Sequence, residues 1–149
     1  MASPAVEAKP SLTLQRRLKA TPAQVFTAWT QPDQLVQWFG PEHTDKTTVH
    51  AELDVRVGGR FRARFNTKDG EYHEVGGAYR EVVKNQKLVF DWAWHSTPER
   101  QSLVTVTLRA DGSGTLLTLT HEKFFDDAAR DGHKRGWIET LDKLERLFA

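Results

Sequence analysis

The chain is predicted to be an α+β domain: a curved antiparallel sheet wrapped around one long C-terminal helix, with two short helices after the first strand. Three observations predict it. Residues 49–57, 104–108 and 117–121 alternate apolar with polar side chains, the period of strands buried on one face. Short loops such as Asp111-Gly112-Ser113-Gly114 separate such stretches, as hairpins require. Trp137, Leu141, Leu144 and Phe148 fall at i, i+4, i+7 and i+11, a single stripe of a helix.

Each element follows in order. Leu12, Leu14 and Leu18 mark a first strand. Thr21-Pro22-Ala23-Gln24 starts a helix, with Thr as cap, Pro at the first position and Gln three residues on. Val25, Phe26 and Trp29 form its buried side. A second short helix follows Gln31-Pro32 and buries Leu35, Trp38 and Phe39 before Gly40-Pro41 stops it. A strand then carries Val49, Ala51, Leu53, Val55 and Val57 on one face and His50, Glu52, Asp54 and Arg56 on the other, ending at Gly58-Gly59.

Three hairpins set the register. The loop at 111–114 pairs Leu108 with Leu117, Val106 with Leu119 and Val104 with His121 inward, leaving threonine pairs outside. Lys84-Asn85-Gln86-Lys87 pairs Val83 with Leu88, Tyr79 with Trp92 and Gly77 with Trp94, where glycine makes room for the indole. It also places Glu81 inward against Phe90, which calls for a bulge. A five-residue turn at 66–70 pairs Ala63 with His73 and Phe61 with Val75. The inner face so assembled holds Phe61, Phe65, Tyr79, Phe90, Trp92 and Trp94, with His73 and His121 among them.

Composition bounds the function. A chain of 149 residues, 38% hydrophobic and 28% charged, fits one globular domain over 11–149, after a flexible tail over 1–10. Its 21 basic residues are scattered among 20 acidic ones, with net charge +1, so neither nucleic acid nor a membrane surface is an expected partner. Cysteine is absent, which excludes disulfides and thiolate chemistry and fits a cytoplasmic protein. The first ten residues have no apolar signal core, and no later run is long enough to span a membrane.

Trp38-Phe39-Gly40-Pro41, Val57-Gly58-Gly59-Arg60-Phe61, Leu119-Thr120-His121-Glu122 and Gly136-Trp137 with Leu141 and Leu144 resemble, in that order, the START-like helix-grip proteins (the SRPBCC superfamily). The closer resemblance is to the branch named for the activator of the heat-shock protein 90 ATPase. It covers about residues 11–148. The resemblance implies a cavity between the sheet and the last helix, used across the superfamily for apolar molecules. The branch name implies a role in chaperone activation and the stress response.

Chemistry is sparse by comparison. The six histidines form no H-E-x-x-H, and His50-x-Glu52 points outward, so no metal or other cofactor is expected. No serine lies in a G-x-S-x-G elbow. His121 is either a core histidine satisfied by its surroundings or a ligand contact, and His73 carries the same two readings. Trp38-Phe39-Gly40-Pro41 is either an apolar helix terminus or the rim of a pocket. The row Phe90, Trp92, Trp94 is either plain core or the wall of an apolar pocket.

The expected activity is binding of a small apolar or aromatic ligand, as carrier or sensor, by a monomer or weak dimer. The residues expected to contact it are Phe65, His73, Tyr79, Phe90, Trp92, Trp94, Val106, Leu119, His121, Trp137 and Leu141. The alternative is a co-chaperone-like interaction module with a filled core. A third reading is a cyclase-like enzyme that works by positioning, with acid-base help from His121, His73 or Tyr79.

Overall fold

The computed structural model describes residues 9–149, so the expected tail at 1–10 lies almost wholly outside the described residues. Ten elements follow: β1 (Leu12–Leu18), α1 (Pro22–Thr30), α2 (Pro32–Leu35), β2 (Thr44–Leu53), β3 (Arg60–Thr67), β4 (Tyr72–Val83), β5 (Lys87–Trp94), β6 (Ser102–Asp111), β7 (Gly114–Glu122) and α3 (Asp127–Leu147). The strands form one antiparallel sheet in the order β1-β7-β6-β5-β4-β3-β2. This is the helix-grip arrangement: the sheet curls around α3, and α1 and α2 close one end.

Local chemistry explains the element boundaries. Thr21 Oγ1 accepts from the Gln24 amide at 3.2 Å while Gln24 Oε1 accepts from the Thr21 amide at 2.9 Å, a reciprocal cap that starts α1. Asp126 caps α3 by accepting from the Ala129 amide at 2.8 Å. The helix therefore begins ten residues before Trp137. Beyond Trp137 it carries Leu141 and Leu144, both fully buried.

The registers agree with expectation at one hairpin and differ at two. β6 and β7 pair Leu108 with Leu117, Val106 with Leu119 and Val104 with His121 as anticipated. Between β3 and β4 the Thr67 amide donates to the Glu71 carbonyl at 2.9 Å, which closes a three-residue turn, Lys68-Asp69-Gly70, with Gly70 at φ +88°. Ala63 consequently faces Val75, and Phe65 faces His73. The slip is two residues, so every side chain keeps its face.

Between β4 and β5, Asn85 adopts φ 63° and Val83 pairs with Lys87, one residue off the expected register. The bulge anticipated near Glu81 falls between Tyr79 and Glu81 and restores the parity, so that Tyr79 faces Phe90 and Val75 faces Trp94. Arg80, at the bulge, reaches the Asp91 carboxylate at 2.7 Å. Gly77 does not make room for Trp94. A Cβ there would lie 2.0 Å from the carbonyl oxygen of Asp91, so the close neighbour is backbone.

One apolar residue is misplaced by the sequence pattern. Val57 is 68% exposed, because β2 ends at Leu53 and the chain turns away before Gly58. At the other end β2 starts at Thr44, with an irregularity between Asp45 and His50.

The C-terminal half of α3 is fastened to the edge strand β1 on one side and to the α2–β2 connection on the other. Arg16 on β1 bonds Asp142 at 3.2 Å and lies 3.8 Å from Glu145. Lys143 donates to the Phe39 and Pro41 carbonyls, each at 3.4 Å, and burial lowers its pKa. Gly77→Ala should lower stability by about 1–3 kcal/mol, read from urea midpoints, because backbone must shift to admit the methyl. An unchanged midpoint would contradict the close approach of β4 and β5 at this position.

Candidate functional site

The N-terminal half of α3 stands off the sheet and leaves a cleft of about 360 Å³. Strands supply one wall: Phe65 and Thr67 from β3, His73 from β4, Trp92 and Trp94 from β5. The helix supplies the other through Ala128, Ala129, Gly132, His133, Gly136, Trp137 and Thr140. Phe39, Gly40, Pro41 and His43 form the rim.

Small residues keep the helical wall thin. Glycine inside a helix is less favourable than alanine by about 1 kcal/mol. Close packing often explains it, but at Gly136 an added Cβ would meet nothing within 4 Å. The missing side chain at that position is simply open space in the cleft. One residue further on, the bulky stripe resumes and Trp137 forms the floor, its ring tilted against Trp92 with centroids 5.1 Å apart.

Two indole–imidazole pairs hold the walls. Trp137 Nε1–H donates to His121 Nδ1 at 2.9 Å, and since an indole N–H can only donate, His121 must carry its proton on Nε2. That proton faces Ser102 Oγ at 2.7 Å, and Ser102 in turn donates to the Trp92 carbonyl at 3.1 Å. Trp94 Nε1–H donates to His133 Nε2 at 2.8 Å, so His133 is the other tautomer and donates from Nδ1 to the Ala129 carbonyl at 2.7 Å. Both imidazoles are neutral, and all four ring nitrogens are engaged.

Burial, and to a lesser extent the neighbouring His133, pushes the pKa of His121 well below the ordinary histidine value. Burial lowers His133 too, against a smaller opposing effect of the Ala129 carbonyl. Neither ring offers a lone pair to a substrate or a metal. Among the described residues no group of three or more His, Asp or Glu is placed to hold a metal ion.

Of the eleven residues singled out from the sequence, five line the cleft: Phe65, His73, Trp92, Trp94 and Trp137. Tyr79 and Phe90 border a separate void of about 30 Å³ deeper in the core, which Trp92 and Trp137 also touch. Val106, Leu119 and Leu141 line neither space, because α3 lies directly on the sheet at that end and their side chains are buried by one another's elements. His121 sits behind Trp137, fully buried, as the core histidine of its two readings. Trp38 is likewise structural, donating to the Ala28 carbonyl at 3.1 Å, while Phe39, Gly40 and Pro41 lie on the rim.

The helical wall was missed by sequence reasoning. Its signal was present: Ala129, His133, Gly136 and Thr140 stand at i, i+4, i+7 and i+11, a second stripe running beside that of Trp137. Such a stripe carries no large apolar residue and so gives no amphipathic mark.

Comparison with known proteins agrees with the helix-grip architecture. The chain belongs to the family described as Activator of Hsp90 ATPase homolog 1-like protein, which it matches over residues 19–149. Among solved structures, a protein from Chromobacterium violaceum is similar with 26% identity and a TM-score of 0.80, covering 93% of this chain and 97% of that one. The AHSA1 protein of Silicibacter pomeroyi is 27% identical, with a TM-score of 0.77 over 92% and 96% of the two chains. An uncharacterized protein from Rhizobium leguminosarum reaches 33% identity and a TM-score of 0.75, covering 93% of each chain. No curated protein matches significantly. Among the described residues no helix is long and apolar enough to cross a membrane.

The two histidines predict a pH dependence. Their pKa values are depressed in the fold and return to about 6.5 on unfolding, so protons favour the unfolded chain. This contribution to stability is complete above about pH 6.5 and is lost as pH falls below it, at up to about 1.4 kcal/mol per pH unit for each imidazole. Urea midpoints should drop between pH 7.5 and pH 5. The drop should be smaller in a His121→Gln, His133→Gln double variant; identical profiles would refute the assignment.

Proposed function

We propose that this domain binds one small, largely apolar, ring-bearing molecule in the cleft between the sheet and α3, as a carrier or sensor. The observation that carries the proposal is Gly136, an interior helical glycine whose missing side chain leaves space opposite the rings of Phe65, Trp92 and Trp94. A cleft of about 360 Å³ lies in the range usual for small-molecule sites. Because the Trp94, Trp137 and His133 nitrogens are already paired inside the protein, the walls present ring faces more than hydrogen-bonding edges, which favours stacking.

The family name raises a second reading, a module acting on a chaperone ATPase. Such a surface would be expected to expose a contiguous apolar patch. Among the described residues large exposed apolar side chains are few: Val57, Tyr72, Phe125 and Leu147, each on a different segment of the chain. The enzyme reading loses its best general base, since both nitrogens of His121 are engaged.

Native mass spectrometry of the protein as purified from cells tests the binding reading, with extraction to identify any released compound. The expected result is one bound ring-containing molecule, absent from a folded Gly136→Leu variant whose side chain would enter the cleft. If wild-type protein carries nothing, and a panel of small aromatic compounds leaves its tryptophan fluorescence unchanged, the reading fails. Gly136→Ala should meanwhile raise stability by about 0.5–1 kcal/mol in urea unfolding, since it improves the helix and displaces nothing. A loss of stability on that substitution would mean that the helix wall is already packed.

A further inference from the structure

The small void behind the cleft differs from it in one respect. Three of the five tryptophans have acceptors for their indole N–H: Trp38 on the Ala28 carbonyl, Trp94 on His133 and Trp137 on His121. Trp29 and Trp92 have none, although both are 5% exposed. Both line the void, and both flank Trp137, with ring centroids 6.2 and 5.1 Å from it. Trp92 borders the cleft as well. A buried donor without an acceptor is costly, and such groups in native proteins call for an explanation.

The remaining lining is mostly carbon, from side chains such as Leu35, Leu53, Phe61, Leu88 and Phe90, with Tyr79 the one residue besides the tryptophans that brings a polar side-chain atom. At about 30 Å³ the void takes a group the size of one water molecule. An indole N–H can donate but not accept, so the void suits an acceptor. No cationic side chain lines it, so a charged group would be buried unpaired.

We propose that the void adjoining the cleft, which shares Phe39, Trp92 and Trp137 with it, is a donor-rich pocket that takes the oxygen of an uncharged carbonyl or ether group on the ligand. Trp92, which lines both spaces, supplies one donor and Trp29, which lines the void, the other. Resting on the cleft reading above, this narrows the ligand class to neutral aryl ketones, quinones and aryl ethers. Plain hydrocarbons, acids and amines fit it less well.

Indane and 1-indanone test the idea, since they share a skeleton and differ at a carbonyl. The expected result from calorimetric titration of the wild-type domain is that both bind and that the ketone binds about fivefold tighter, the size of one neutral hydrogen bond. Trp92→Phe should bring the ratio of ketone to indane affinity to about one; because Trp92 also walls the cleft, that ratio, and not either affinity alone, is what is read. Equal affinities in the wild type, or a preference that survives both Trp92→Phe and Trp29→Phe, would overturn the proposal and leave the cleft reading standing. Failure of both compounds to bind would overturn the two together. Should Trp92→Phe not fold, the indole N–H resonances of the ¹⁵N-labelled wild type decide. A downfield move of the Trp92 proton with the ketone alone supports the proposal. A ring-shielded upfield proton that neither compound moves shows that an aromatic face already satisfies the group, and overturns it.

Discussion

A sheet that curls on itself turns a whole apolar face inward, and no strand can cover that face. In this domain the covering element is α3, whose 21 residues span about 30 Å. It is pressed onto the sheet at one end only. There Leu141 and Leu144 are fully buried, Arg16 reaches Asp142 across the edge of the sheet, and Lys143 holds the carbonyls of the rim loop. Toward its N-terminus the same helix presents alanine and glycine to the sheet, and the two layers do not close. The cleft is thus set by where bulk stops along one helix, with Trp137 at the boundary.

Apolar contact alone would not hold such a gap, because it is non-directional and any slide that fills space is favourable. Directional bonds oppose the slide. One chain runs from Trp137 on α3 to His121 on β7, Ser102 on β6 and the Trp92 carbonyl on β5, each donor meeting one acceptor. A second bond, from Trp94 to His133, ties the end of β5 to the helical wall. Satisfied polar networks of this kind specify one arrangement of a core. The neutral state of both imidazoles is what lets each accept from an indole.

The sequence carried the fold more fully than the site. Alternation in β6 and β7 fixed their register because Leu117 and Leu119 must face Val106 and Leu108, and a one-residue slip would turn them outward. The β3–β4 slip was invisible to the same reasoning, since a shift of two residues leaves every face unchanged. It was decided by Gly70 adopting a left-handed turn, which shortens the loop. Val57 continued an alternation that the backbone had already abandoned at Leu53. At the site, the aromatic wall was legible and the helical wall was not, because a position that matters by lacking a side chain leaves no mark of amphipathicity.

That last asymmetry bears on what the domain is for. Narrowing the gap would have required little: a Cβ at position 136 meets nothing within 4 Å, and alanine or leucine there is a better helix former than glycine. The chain instead keeps glycine at 132 and 136 in a helix interior, where alanine would be more stable. It also leaves the Trp29 and Trp92 indoles unpaired deeper in the core. A module that worked only through its outer surface would gain from filling both defects. They lie next to each other, one a space and the other a pair of donors, and a single bound molecule with a ring and an acceptor oxygen would satisfy both.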